Sequence, residues 1–328
     1  MKLNQYRTYF GIFLMTLLSM NTAVAQNKYP DKPIRLIVGF APGGGTDIVA
    51  RALGPKMGEV LGGQSIIVEN KAGAAGTIGA DLVARSAPDG YSLLMGHSNS
   101  NAIAPFVLNK VPYNPYTDFT TITYIGYVPN VLVVHPSVPV NSVAELIALA
   151  KTKPGMLTYG SSGIGSTQHL AGALFSKIAG IDLNHVPYKG SGQAIVDLLA
   201  GQITMNFDTM PPVLEHIKSG KLKALAISTP KRLSQLPDVP TFNEVGIKGF
   251  DVTNWYSVMG PKEMPPAMVS QIDKAVKAAM ADPRNKSSLD AQGLQTGGPT
   301  TPEAFHAFLK TELDKYAKLV KELNIKAE

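Results

Sequence analysis

Residues 40–47 read Phe-Ala-Pro-Gly-Gly-Gly-Thr-Asp and lie between a β-branched run at 34–39 and a helix-like stretch opening at Ile48-Val49. A strand, a glycine loop and a helix start in that order leave backbone N–H groups unpaired and aim the positive end of a helix dipole at one point. That is anion-binding chemistry, open at this level to a carboxylate, a phosphate or a sulfate. Asp47 reads as a helix-start residue whose own charge opposes a bound anion unless its carboxylate turns away.

Three more segments share the pattern. Asn70-Lys71-Ala72-Gly73-Ala74-Ala75-Gly76-Thr77 leads into a helix at 78–84, Gly160-Ser161-Ser162-Gly163-Ile164-Gly165-Ser166-Thr167 into the helix carrying His169 and Leu170, and Lys189-Gly190-Ser191-Gly192-Gln193 into the helix carrying Ile195 and Leu198. Each alone is also what a tight turn looks like. None of the four contains Arg, so recognition rests on backbone N–H and hydroxyl donors. At about 1.5–3 kcal/mol per charge-assisted bond, three or four offset the several kcal/mol lost on desolvating a carboxylate.

Other chemistries find little purchase. Counted as G-x-G-x-x-G from Gly43, the last glycine position is Ile48, and no G-x-x-x-x-G-K-[ST] occurs in these loops. The nearest approach to a G-x-S-x-G elbow is Gly96-His97-Ser98-Asn99-Ser100, which ends in Ser. A secreted esterase or amidase using Ser98 or Ser166 with a nearby His is the weaker, enzymatic alternative. The 6 His are scattered singly, without an H-E-x-x-H pair, and a structural role fits them better, His169 in a first helical turn being the one to watch. Cys is absent, which removes thiolate catalysis, disulfides and zinc–thiolate sites. No cofactor and no metal is expected. No basic cluster interleaves with aromatics, so nucleic acid is not an expected partner.

The loops need elements to hold them. Strand-like runs at 34–39, 65–69, 91–96, 157–160, 203–207 and 222–228 alternate with amphipathic segments, which predicts α/β lobes with largely parallel sheets covered by helices. Val49, Leu53, Met57 and Val60 mark one helix face, Ser142-Val143-Ala144-Glu145 is a capping box for a helix running to Lys151, and Thr301-Pro302 caps another after a helix at 267–281. Two strand-like stretches break the rhythm, 121–135, interrupted by Pro129, and 252–259. Both fit strands passing between lobes, giving a discontinuous first lobe of residues 26–127 plus 250–328, a second lobe of residues 128–249, and a hinge made of two crossings. One continuous sheet is the alternative. Ligands collect at the carboxyl ends of strands in open α/β sheets, which would set two loops from each lobe across a cleft.

Residues 1–25 read as a secretory signal peptide, basic at Lys2 and Arg7, apolar over 10–20 and ending in Ala23-Val24-Ala25. The apolar run is well short of the about 20 residues that span a bilayer. A soluble, exported chain cleaved near Ala25 is expected. The 328 residues, 45% hydrophobic and 16% charged, suit two lobes of about 100–150 residues each, and the formal charge of +6 leaves the chain mildly basic without the leader.

Tyr29-Pro30-Asp31-Lys32-Pro33-Ile34-Arg35, the loop at 40–47, Gly90-Tyr91-Ser92-Leu93-Leu94 and the segment 161–169 resemble the Bug family of extracytoplasmic receptors, the substrate-binding components of tripartite tricarboxylate transporters. So do His185-Val186-Pro187-Tyr188-Lys189-Gly190-Ser191-Gly192, Phe207-Asp208, the segment 216–222, Leu236-Pro237-Asp238-Val239-Pro240-Thr241 and Trp255. The motifs run in order over nearly the whole chain beyond the leader. The resemblance implies an α/β, two-lobed type II periplasmic binding protein, a Venus flytrap that is periplasmic, monomeric and not an enzyme. It implies a carboxylate held by Phe40, Gly43, Gly44, Gly45 and Thr46 from one lobe and by Ser161, Gly165, Ser166 and Thr167 from the other, with Asp208 close to the cleft. The implied partners are a small organic carboxylate (a dicarboxylate, an acidic amino acid or an aromatic acid) and the membrane permease subunits of the transporter. A receptor that docks onto a membrane sensor kinase is the alternative. Phe40, His97 and Tyr256 are the residues that would flank an aromatic ligand, or else are core.

Overall fold

The computed structural model describes residues 29–325 apart from residue 292; the expected signal peptide lies outside the described residues. The chain runs β1 (Ile34–Val38), α1 (Gly45–Val60), β2 (Ile66–Asn70), α2 (Thr77–Ala84), β3 (Ser92–His97), a π-helical turn (Asn99–Ile103) continued by α3 (Ala104–Val107), and β4 (Phe119–Val128). It continues through β5 (Asn130–Val134), α4 (Val143–Thr152), β6 (Thr158–Ser161), α5 (Thr167–Ala179), β7 (Asn184–Pro187), α6 (Ser191–Leu199), β8 (Met205–Thr209), α7 (Met210–Lys218) and β9 (Lys223–Ile227). It closes with β10 (Asn254–Pro261), α8 (Pro266–Ala281), α9 (Pro283–Ala291) and α10 (Pro302–Leu323).

Two 5-stranded sheets result, ordered β2-β1-β3-β10-β4 and β7-β6-β8-β5-β9. The expectation of largely parallel sheets needs correction. β1 pairs β2 and β3 in parallel, as β6 pairs β7 and β8, but β10 runs antiparallel to β3 and β4, and β5 antiparallel to β8 and β9. The antiparallel strands flank the crossings, where the chain must reverse to leave one sheet and re-enter it. The first crossing is Pro129, between β4 in one sheet and β5 in the other. The return differs from the expected strand: residues 250–253 have no strand structure, and β10 belongs to the first sheet alone.

Burial follows the period-two alternation of strands. Leu36 and Val38 of β1 pack with Val49, Leu53 and Met57 of α1, while Ile37 packs on the opposite face with Ala80 and Val83 of α2 and Phe305 and Leu309 of α10. Val60, expected on the buried stripe, is 43% exposed, because the i, i+4 series from Val49 reaches the buried Leu61 instead. In the second sheet Leu132 and Val134 face Phe207, Phe242 and Phe250, and Val131 and Val133 face the residues of α6 and α7. The capping box forms at Ser142, whose Oγ accepts Glu145 N–H at 3.2 Å, while Glu145 reaches back to Asn141 N–H at 2.7 Å.

α10 belongs to both halves. Trp255 Nε1 donates to Glu312 Oε2 at 2.9 Å, Tyr316 donates to the Thr253 carbonyl at 3.0 Å in the return crossing, and Lys177 of α5 donates to the Glu322 carbonyl at 2.9 Å. Leu319 and Leu323 pack against the cores on both sides. Among the described residues no helix is long and apolar enough to cross a membrane.

Candidate functional site

The four glycine loops meet pairwise across the gap between the sheets. A Cβ on Gly44 would stand 3.0 Å from Ser191 Oγ, and one on Gly192 would stand 2.8 Å from the Pro42 carbonyl, so the opening loop faces the start of α6. A Cβ on Gly163 would lie 3.5 Å from Ala75 N, which sets the second loop against the third.

Asp47 does turn away. Its carboxylate accepts Gly43 N–H at 3.1 Å, Asn70 Nδ2 at 2.9 Å and Arg51 Nε at 3.1 Å, and these hydrogen bonds hold it below the usual carboxylate range against the opposing effect of burial. Asn70 Nδ2 also donates to the Phe40 carbonyl at 3.0 Å. The acid therefore braces the opening loop and leaves the first turn of α1 facing the gap.

Between the halves lies a buried cavity lined by Phe40, Gly44, Gly45, Thr46, His97, Asn99 and Tyr256 from the first sheet's side and Ser162, Gln168, Ser191 and Thr209 from the second. It leaves about 10 Å³ for the centre of a water molecule, enough for one water. A larger guest requires the halves to part. The starts of α1, α5 and α6 converge here through Thr46, Gln168 and Ser191. α7 contributes its dipole and the Thr209 hydroxyl but no amide donor, because Met210 N–H goes to the Pro129 carbonyl at 3.1 Å and Pro211 and Pro212 have none. No Lys or Arg is among the lining residues. The donors and favourable dipoles that the site offers an anion come from helix ends.

An aromatic wall closes one side, with ring centroids 5.1 Å apart for Phe40 and His97 and 5.3 Å for His97 and Tyr256. Burial lowers His97 to about 3, so its ring is neutral, and Nδ1 accepts Asn99 N–H at 2.9 Å. Tyr256 is fully buried, burial pushes its pKa upward, and its hydroxyl faces Thr209 of the other half without a well-formed hydrogen bond. Gly45 allows this approach: a Cβ there would stand 2.5 Å from the Tyr256 hydroxyl and 2.8 Å from Thr209 Oγ1.

Of the residues singled out in the sequence, Phe40, Gly44, Gly45 and Thr46 line the cavity. Gly43 turns the opening loop, with φ +84°, and lies outside the lining. Ser161 Oγ bonds His185 Nε2 at 2.6 Å and accepts Gly163 N–H at 3.1 Å, Gly165 N–H donates to His169 Nδ1 at 3.3 Å, and Ser166 Oγ caps α5 by accepting His169 N–H at 3.2 Å. These three hold the third loop from behind, whereas the side chains that reach the cavity are Ser162 and Gln168. Thr167 N–H is taken by Asn99 Oδ1 at 2.7 Å, and Thr167 Oγ1 bonds Asn254. Asp208 lies behind Thr209, with no exposed surface. No local pattern in the sequence marks Asn99, Gln168 and Thr209 as lining residues. His169 is not among the lining residues; its ring stacks on His185 at 3.9 Å. Ser166 Oγ is committed as a cap, and Ser98 Oγ lies 3.4 Å from His97 Nδ1 within a buried turn.

A glycine-loop cavity built from helix starts at the join of two α/β halves has relatives of known kind. The family model of the tripartite tricarboxylate transporter family receptor, TctC, matches residues 49–325. The chain belongs to this family. The receptor is 37% identical to Protein BugT of Bordetella pertussis, over 99% of each chain. Among solved structures it is similar to Rpa4515 of R. palustris with adipate, at 34% identity and a TM-score of 0.87, covering 91% of this chain and 99% of that one. It is similar too to MatC of Rhodopseudomonas palustris with bound malate, at 30% identity and a TM-score of 0.85, covering 89% and 100%. The receptor thus has the two-lobed fold of periplasmic solute-binding proteins.

Proposed function

We propose that the receptor captures a small organic carboxylate, a dicarboxylate foremost, between its lobes and presents the closed complex to permease subunits of the tripartite tricarboxylate type. One observation carries this: helix starts from both halves converge on one buried cavity that no Lys or Arg lines. Such a site suits an anion that accepts several hydrogen bonds from neutral donors. The adipate and malate of the structural neighbours agree with it. Phe40, Gly44, Gly45 and Thr46 are the first-lobe contacts in this reading, while Gly43, Ser161, Gly165, Ser166 and Thr167 shape the loops. The lobes are residues 26–127 plus 250–328 and residues 128–249, and export with cleavage near Ala25 delivers the receptor to the periplasm.

A thermal-shift and calorimetric panel of malate, adipate, aspartate, an aromatic acid, phosphate and a neutral sugar tests the capture step, because a ligand of the closed form raises Tm by mass action. Stabilisation by a carboxylate is expected. Stabilisation by phosphate or sugar alone sinks the reading. Delivery is tested by uptake of the bound acid into vesicles carrying the permease, with and without the receptor.

A further inference from the structure

Asp208 is a fully buried carboxylate directly behind Thr209, a residue lining the cavity proposed to take a carboxylate. Its Oδ1 accepts Thr209 N–H at 2.7 Å and its Oδ2 accepts Asn206 Nδ2 at 2.8 Å, and the side chains of Gln168 and Ser191 are close enough to oppose the upward effect of burial on its pKa. Gln168, Ser191 and Thr209 all line the cavity, at the starts of α5, α6 and α7. The acid therefore sits behind three of the helix starts that would serve the ligand.

No cation balances it: among the described residues no Lys, Arg or His forms an ion pair with Asp208. The titratable groups facing it are Tyr256 of β10 and, across the same cavity, His97 of β3, both neutral. Val131 of β5 lies opposite it in the sheet, α5, α6 and its own strand present amides and hydroxyls, and Asp47 of α1 is turned to Arg51. A ligand carboxylate in the cavity and a buried Asp208 just behind its lining, with no cation beside them, cannot both stay ionised cheaply.

We propose that the receptor takes up its carboxylate ligand together with one proton, which is held by Asp208. The proton comes from solvent and leaves with the ligand, and no covalent bond changes other than the O–H of the acid. Two further observations agree. Burial raises Asp208 to about 7 before any second anion is present, so the proton is available near neutral pH. Asn206 Oδ1 is a buried acceptor without a donor, so a turn of this amide offers Asp208 an acceptor in place of the present donor and serves either protonation state. The inference rests on the carboxylate-capture reading.

Calorimetry of the full receptor with malate and with adipate, at pH 7 to 8 in buffers of different ionisation enthalpy, counts the protons directly. Both acids are fully ionised there. Uptake rising from about half a proton per ligand at pH 7 towards one at pH 8 is expected, with affinity falling towards about tenfold per pH unit on the alkaline side. In Asp208→Asn, uptake should vanish and the pH profile should flatten. Binding by the natural receptor with no proton uptake, or with proton release, overturns the proposal, and that measurement does not depend on the variant folding. If aspartate binds with no uptake because its ammonium group satisfies an ionised Asp208, the proposal is likewise overturned while carboxylate capture stands. Binding of no carboxylate at all removes the capture reading itself.

Discussion

Asn99 Oδ1, at the start of the π-helical turn in the first lobe, accepts the backbone N–H of Thr167, the first residue of α5 in the second, at 2.7 Å. Its Nδ2 donates to Ser162 Oγ at 3.1 Å on the same side. From Thr167 the chain of bonds continues through Asn254 to Asn130 Oδ1 at 2.7 Å, and Asn130 Nδ2 reaches the Val252 carbonyl at 2.8 Å, so both crossings are tied to the same clasp. Asn99→Ala should leave the Thr167 N–H at the start of α5 without its acceptor from the other lobe and bias the lobes apart. A larger radius of gyration in small-angle scattering is expected, with affinity about tenfold lower, the equivalent of about 1.4 kcal/mol. An unchanged radius and affinity would show that the clasp is passive.

Gly45 is a steric gate. In Gly45→Ala the new methyl meets the Tyr256 hydroxyl within the same half and Thr209 Oγ1 of the other half when the lobes are together, so the change penalises closure and, through Tyr256, the free receptor as well. Calorimetry should show affinity lower by about a hundredfold or more, roughly 2.7 kcal/mol, and Tm without ligand should fall as well, by the overpacking against Tyr256. Equal affinity would mean that the ligand is held in a more open cleft.

Tyr256→Phe should move stability and binding in opposite directions. Removing a buried hydroxyl that makes no well-formed hydrogen bond relieves up to about 1 kcal/mol, so urea unfolding without ligand should shift to higher midpoint. The same oxygen lines the cavity, and a ligand acceptor that would have met it is left short, which lowers affinity. Loss of stability in this variant would reveal a partner for the hydroxyl in solution.

Three histidines set the acid limit. Burial lowers His97 to about 3, His169 to about 4 and His185, stacked on His169, to about 3. Their unfolded pKa is near 6.5, so between about pH 6.5 and 4 the unfolded chain binds more protons and stability falls as pH falls. Asp208 has the opposite sign, since its raised pKa favours the folded state below about 7. Tm should therefore pass through a maximum and decline below about pH 6, with a shallower decline in His185→Gln. A Tm that is flat from pH 7 to 4 would contradict the buried, neutral assignment.

The parts of this site that were legible in the sequence are those built from local chemistry. The glycine turn before α1, the Ser142 and Thr301 caps and the hydroxyl-rich start of α5 announce themselves within four or five residues. Parallel pairing was expected where β1, β2 and β3 meet, but nothing local tells that β5 and β10 run the other way, because direction depends on where the crossings put them. β7 escaped notice because Asn184-His185-Val186-Pro187 is a half-exposed edge that ends in proline. Ser162 and Gln168, not Ser161 and Thr167, reach the cavity because strand alternation and helix phase act one residue at a time. Thr209 and Asn99 become lining residues only through contacts between distant segments.

α10 fastens to Thr253 at the return crossing and to α5 through Lys177, and its last turns share side chains with both cores. A strap fixed to both jaws makes their spreading a matter of sliding or unbuckling on the outer side of the molecule. The resting gape of the cleft is then tuned by residues that never meet the ligand, and drift in sequence at Lys177, Leu319 or Leu323 can retune affinity while every contact inside the cavity stays the same.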